Sequence, residues 1–167
     1  MKVSGIVGGV VLGSAVWVSS AAQAQIDTYH VFKDGAVAIT RPGMFTDVAF
    51  VDVPRVGVYF VVAKTEIQNM GADNQVTCEL AALDTCNNNA PFAGDPVSVF
   101  VGGQGKFGAF PLTLVVPQPL QKPDCGFNAI RLRLRCGSLW TSSPTNLAAR
   151  QTKITAHAVS GAKIVSQ

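Results

Sequence analysis

The side chains best suited to proton transfer near neutral pH are two histidines, His30 and His157. A serine triad or a cysteine dyad needs a histidine beside its nucleophile. The sequence contains no G-x-S-x-G nucleophile motif, and His157 falls on the polar side of an alternating segment. The pattern favours surface or packed histidines, and we expect the protein not to be an enzyme.

Carboxylates are the second candidates, because a pair of them can hydrolyse a glycosidic bond. Beyond residue 24 the chain has eight Asp and two Glu. Glu66 and Glu79 alternate with apolar residues, so we expect them to balance Lys and Arg on the solvent side of a sheet. Four Asp residues stand in turn-like sequence, where Asp hydrogen-bonds the backbone: Asp34, Asp84, Asp95 and Asp124.

A metal or phosphate site is the third possibility. Asp84 with Asn87, Asn88 and Asn89 offers the oxygen ligands that calcium prefers. The segment lacks the spacing and the distal Glu of a calcium loop, which favours a solvated turn. The glycine-rich segment 102–105 lacks a following G-K-[ST] and predicts a hairpin turn. We expect neither a metal nor a cofactor.

The N-terminal segment predicts export. Lys2 is followed by an uncharged apolar run over 5–18 and by Ala22-Gln23-Ala24, the small-x-small pattern that precedes signal-peptide cleavage. A run of this length is shorter than the roughly 20 residues that span a bilayer. We therefore expect residues 1–24 to be a signal peptide and residues 25–167 to be a single secreted or periplasmic domain.

Charge argues against a nucleic-acid partner. Removing Lys2 from the 13 basic residues of the chain leaves 12 against 10 acidic residues, a net charge of +2. This excess is small and scattered, whereas nucleic-acid binding proteins concentrate basic residues on one surface.

Short segments with a period of two predict an all-β fold, because no stretch of ten or more residues has a helical period. The clearest alternation is at 130–135, where an apolar residue precedes each of three arginines. The segment 75–80 also alternates polar and apolar residues. About eight strands are expected, which suggests an antiparallel β-sandwich or jelly roll. The other predicted strands cover 36–40, 46–53, 57–68, 97–101, 109–116 and 151–159.

Four cysteines behind a signal peptide predict two disulfides, since their spacing matches no zinc motif. Cys78 and Cys136 fall on the apolar sides of their strands, whereas Cys86 and Cys125 stand in turn-like sequence. This parity favours the pairs Cys78–Cys136 and Cys86–Cys125. Three pairings remain open on the sequence alone.

Two features are candidates for binding. Arg131, Arg133 and Arg135 form a basic stripe that suits an acidic glycan, lipopolysaccharide or a protein, unless Glu66 or Glu79 pairs with it. Trp140 is the one tryptophan beyond residue 24 and lies in a polar loop, where it either stacks on a sugar or caps the sandwich.

The segment Pro54-Arg55-Val56-Gly57-Val58-Tyr59 and the strand that follows it resemble a strand of secreted bacterial β-sandwich proteins. The strands at 76–80, 132–136 and 153–156 are similar to later strands of that group, and the whole resembles tumour-necrosis-factor-like jelly rolls. The resemblance covers roughly Val48 to Val159 and implies a Cys78–Cys136 bridge. It transfers no active site, because most members have unknown functions.

Together these observations predict an exported, non-enzymatic structural or interaction module with an unknown protein or glycan partner. A carbohydrate-binding or carbohydrate-active protein is the alternative. The jelly-roll analogy also predicts a homo-oligomer such as a trimer, with Phe60, Phe107 or Phe110 at the subunit contact.

Overall fold

The computed structural model describes residues 27–119, 129–139 and 146–159 and shows two antiparallel β-sheets in that part of the chain. Within these three ranges, every regular element apart from one 3-10 turn at Thr85–Asn87 is a strand. The nine strands are β1 (Thr28–Lys33), β2 (Val37–Ile39), β3 (Phe45–Pro54), β4 (Val58–Asn69), β5 (Asn74–Asp84), β6 (Ala90–Val101), β7 (Lys106–Val116), β8 (Ala129–Ser138) and β9 (Leu147–Val159).

The strands divide between two sheets that face each other. Sheet A has the order β1-β9-β4-β7, and β2 also pairs with β9 beyond β1. Sheet B has the order β3-β8-β5-β6. The hydrophobic core lies between the two sheets and is formed mainly by every second residue of their strands. The predicted all-β sandwich is therefore confirmed.

The predicted inward and outward faces of the central strands are confirmed as well. In β8, Ile130, Leu132 and Leu134 are fully buried. In β9, Ile154 and Ala156 are buried and Lys153 is exposed. Alternation of this kind arises because successive side chains of a strand point to opposite faces of its sheet.

The Cys78–Cys136 disulfide joins β5 to β8, and this predicted pairing is confirmed. The two residues are direct partners in the antiparallel ladder, with their Cα atoms 4.1 Å apart, and both are fully buried. Cys86 is also disulfide-bonded. Its predicted partner Cys125 lies outside the described residues, so the second pairing stays a prediction.

The connection from β3 to β4 crosses between the sheets and is fixed by Tyr59. This side chain is 2% exposed, and its hydroxyl donates to the carbonyl oxygens of Pro54 at 2.9 Å and Val56 at 3.2 Å. Gly57 has a φ of 122°, a conformation that favours glycine. The motif of Pro54, Gly57 and Tyr59 is therefore a structural turn between the sheets.

A buried ion pair ties the same connection to the end of β5. Arg55 donates to both carboxylate oxygens of Asp84, at 2.6 Å and 3.0 Å. Asp84 also accepts from the backbone N–H of Cys86 at 2.9 Å and so caps the 3-10 turn. The carboxylate expected to serve a solvated turn thus also neutralises a buried arginine.

Several sequence expectations were wrong. Phe110 is fully buried in the core, because its parity on β7 points it inward, and so it cannot form a subunit contact. Asp95 lies within β6 rather than in a turn. The glycine-rich segment 102–105 is not a hairpin within one sheet, since β6 belongs to sheet B and β7 to sheet A. Strand β1 was not expected at all.

The segment predicted to direct export, residues 1–24, lies outside the described residues. None of the residues that the structure does describe forms a helix with the length and hydropathy needed to cross a membrane.

Replacing both bridged cysteines, as Cys78→Ala with Cys136→Ala, should lower the free energy of unfolding by about 2–4 kcal/mol, because the bridge closes a long loop in the unfolded chain. The two residues are 58 positions apart. Urea unfolding followed by circular dichroism measures the change. An unchanged free energy of unfolding would contradict the assignment of a stabilising role to this bridge.

Replacing Tyr59 by Phe should lower the free energy of unfolding by about 1–2 kcal/mol at neutral pH, because two carbonyls lose their donor. Burial, followed by the charges of Tyr29 and Asp27, raises the pKa of Tyr59 from 10.0 to about 12. Its contribution is therefore complete below pH 10 and is lost as the pH rises towards 12. In the Tyr59→Phe variant this part of the fall in the free energy of unfolding between pH 10 and 12 should be absent. Chemical unfolding at several pH values measures it. Tyr29→Phe is the control and should retain most of this fall, because burial is the largest cause of the raised pKa of Tyr59.

Candidate functional site

The outer side of sheet B, called face B, carries the arginine stripe. It consists of the outward residues Phe45, Asp47, Phe50 and Asp52 of β3, Arg131, Arg133 and Arg135 of β8, and Glu79 of β5. A β-bulge at Val48 places both Val48 and Ala49 inside, so that Asp47 and Phe50 both remain outside.

Each arginine of face B is paired with a carboxylate. Arg131 forms a two-pronged contact with Asp52, at 2.8 Å and 2.9 Å. Arg135 contacts Glu79 at 2.7 Å, as one of the sequence alternatives proposed. Arg133 lies 3.5 Å from Asp47. Three arginines therefore face three carboxylates, and the predicted basic stripe is electrically balanced within its own sheet.

Aromatic rings also cover two of these guanidinium groups. The guanidinium carbon of Arg131 lies 4.5 Å from the centre of the Phe50 ring, and that of Arg135 lies 4.7 Å from the Phe45 ring. Such cation–π contacts stabilise a charge that is partly removed from water. The hydrogen bond that Arg131 donates to Asp52 is the largest factor that raises the pKa of Arg131. The stripe is thus an ordered ladder of ion pairs.

The outer side of sheet A, called face A, is different in character. Three of the rows of its outward residues run across β1, β9, β4 and β7: Thr28, His157, Phe60 and Val115; His30, Thr155, Val62 and Thr113; Phe32, Lys153, Lys64 and Pro111. Phe60 is 42% exposed and Val62 is 40% exposed. Sheet A therefore presents apolar side chains and cations together.

Two lysines lie side by side at the centre of face A. Lys64 and Lys153 are direct partners in the ladder between β4 and β9. Within the described residues neither forms a salt bridge, in contrast to the arginines of face B. Together with Val62, Pro111, Thr155 and His157 they line a shallow cavity of about 600 Å³.

The two histidines lie on this same face. His157 is held by a 3.1 Å hydrogen bond between its Nδ1 and the hydroxyl of Thr28 on β1. His30 is the direct partner of Thr155, one row away. Sequence reasoning treated the two histidines separately, because their proximity depends on the pairing of the unexpected β1 with β9.

The remaining sequence candidates contribute no described site. Trp140 and Cys125 lie outside the described residues. Both carboxylate oxygens of Asp84 already accept hydrogen bonds from Arg55, so this group is committed to an ion pair. Within the described residues no three His, Cys, Asp or Glu side chains form a cluster that could hold a metal.

Comparison with known proteins reveals a shared fold and no family. No family model and no curated protein matches the sequence. The solved structures that match include the VP2 subviral particle of infectious bursal disease virus, with a TM-score of 0.57 and 7% identity over 93% of this chain. The T13 particle of the same virus matches with a TM-score of 0.56 and 10% identity, also over 93% of this chain.

These matches concern the fold alone. The chain spans 38% of the first of those viral chains and 36% of the second. At such low identity no residue of a viral protein can be matched in role to a residue here. The geometry of faces A and B is therefore the basis for any functional conclusion.

Replacing Asp52 by Asn should lower the free energy of unfolding by at most about 1 kcal/mol, because its ion pair with Arg131 is partly exposed. The matched variant Asp84→Asn should cost about 3–5 kcal/mol, because it removes the charge of a carboxylate that contacts a buried guanidinium group at two points. The carboxylate side chains are 27% and 12% exposed, and the arginines 33% and 2%. Chemical unfolding compares the two variants, and equal losses would show that burial does not set the difference.

Proposed function

We propose that the protein is an exported, non-enzymatic interaction module that binds its partner through face A. The observation that carries the proposal is the exposed apolar surface in the middle of sheet A. Phe60 and Val62 are adjacent outward residues of β4, and Phe60 lies opposite the exposed Val115 of β7. Contiguous exposed apolar residues on a sheet commonly mark an interaction surface.

Export is supported by the sequence of residues 1–24 and by the disulfide between Cys78 and Cys136. Disulfides form and persist in oxidising compartments, such as the periplasm and the extracellular space. The proposal therefore places the domain beyond the inner membrane, with Gln25 as its first residue after cleavage.

The proposed fold is a jelly roll. Strands β1 and β2 pair with consecutive stretches of β9 and act as one interrupted strand, which gives two sheets of four strands each. Eight strands in two sheets are the arrangement of a jelly roll. The viral particle proteins named above support this proposal through their likeness in fold.

A homo-oligomer remains part of the proposal. Of the three phenylalanines expected at a subunit contact, Phe60 and Phe107 are exposed on the outer side of sheet A. They lie near opposite ends of β4 and β7, since Phe60 pairs with Val115 and Phe107 with Gln68. The resemblance to secreted tumour-necrosis-factor-like proteins points in the same direction.

Placing a carboxylate on face A should weaken partner binding. We expect Val62→Asp to weaken binding at least about tenfold, because the new charge loses water at the contact. Val56→Asp is the matched control, since Val56 is 59% exposed in the turn that precedes β4. The mature protein, residues 25–167, is immobilised and probed with neutral and acidic polysaccharides, lipopolysaccharide and lipid vesicles.

The same experiment records whether any bound polysaccharide is cleaved. Binding without products, together with a loss confined to Val62→Asp, would support the proposal. Release of a cleavage product would instead identify an enzyme. Equal binding by the two variants would place the contact away from face A.

A further inference from the structure

We propose that face A binds a carboxylate-bearing sugar, and that Lys64 and Lys153 together hold its carboxylate. This inference rests on the proposed function and names the ligand class of the same surface. It differs from the sequence expectation, in which the arginine stripe was the candidate for an acidic glycan.

The first argument is the lysine pair itself. Like charges directly opposite each other on neighbouring strands are destabilising. On face B a carboxylate forms a salt bridge with every arginine, yet in the part of the chain described here no carboxylate forms one with Lys64 or Lys153. Glu66 lies further along β4, where its ladder partner is Arg150. A bound anion between the two ammonium groups would relieve their repulsion.

The second argument is the composition of the cavity around the pair. Thr155 offers a hydroxyl group that can donate or accept a hydrogen bond. His157 has its Nδ1 engaged by Thr28, and its Nε2 has no partner within the described residues. Val62 and Pro111 add apolar surface beside these polar groups. One anionic group, several hydroxyls and an apolar ring face are the features of a uronic acid, and they match this lining.

The third argument separates a sugar from a second copy of the chain. Two copies that met directly over Lys64 and Lys153 would bring two lysine pairs towards each other and would increase the repulsion. A subunit contact through Phe60 or Phe107 therefore has to leave the lysine pair uncovered. The cavity of about 600 Å³ lies within the usual range for small-ligand clefts and is larger than a single inorganic ion needs. An acidic saccharide carries the negative charge that the lysine pair needs and is large enough to occupy the cavity.

The test uses the mature protein and one pair of oligosaccharide probes. The acidic probe is a tetramer of galacturonic acid, and its neutral counterpart is a tetramer of galactose. Binding is measured by isothermal titration calorimetry for the wild type, for Lys64→Gln with Lys153→Gln, and for Lys33→Gln with Lys106→Gln. The last variant is the matched control, since it removes the same charge away from face A.

We expect the wild type to bind the galacturonate tetramer and not the galactose tetramer. The variant of Lys64 and Lys153 should bind at least about tenfold more weakly, because two charge-assisted hydrogen bonds are lost. The control should stay within about twofold, because distant charges are screened by salt. Thermal unfolding of each variant verifies that the fold is retained.

Three results would overturn the inference. Absence of galacturonate binding would exclude an acidic sugar, while the Val62→Asp comparison would still test the binding module independently. Equal weakening in the two lysine variants would indicate non-specific attraction by net charge. Binding to phosphatidylglycerol vesicles that depends on Lys64 and Lys153, and that the galacturonate tetramer does not compete, would identify a lipid surface instead.

Discussion

The constraint that shapes this structure is its topology: most consecutive strands lie in different sheets, so most connections cross from one sheet to the other. Within the described order only β1 to β2 and β5 to β6 remain in one sheet. Every other connection must carry backbone polar groups across an end of the sandwich, where unpaired groups are costly. Polar side chains meet this requirement. Tyr59 binds the carbonyls of the β3–β4 turn, and Asn69 donates to the carbonyls of Ala72 and Val101 at 2.7 Å and 3.1 Å.

The two outer faces solve the problem of charge in opposite ways. On face B each guanidinium group is matched by a carboxylate, and aromatic rings lie against two of them. Such a surface contributes order to the sheet and leaves little net field for a charged partner. On face A, Lys64 and Lys153 lie together among exposed apolar residues. Because the arginines of face B already have counter-ions and the two lysines have none among the described residues, an external anion would gain more from binding to face A than to face B.

Alternation along each strand was sufficient to predict most of the fold. The inward faces of β8 and β9 follow from parity, and parity also favoured the Cys78–Cys136 bridge among the three possible pairings. Strand β1 was missed because only Tyr29 and Val31 of its six residues are partly buried, and the others are exposed and of mixed character. The bulges near Val48 and Gln151 were missed because each changes which residues of its strand face the core, and no distinctive residue type marks either position. The pairing of Lys64 with Lys153 could not be predicted, since it depends on the register between strands far apart in sequence.

The position of β9 determines when sheet A can form during folding. This last strand lies between β1 and β4, so sheet A has no continuous ladder until β9 arrives. Thr28 and His157 are direct partners although they are 129 residues apart. A chain delivered through a translocation pore with its N-terminus first would present β1 and the edge of β4 unpaired for most of its passage. Unpaired edges of this kind attract other strands, so such a chain stays open to pairing with a neighbouring chain until β9 completes the sheet.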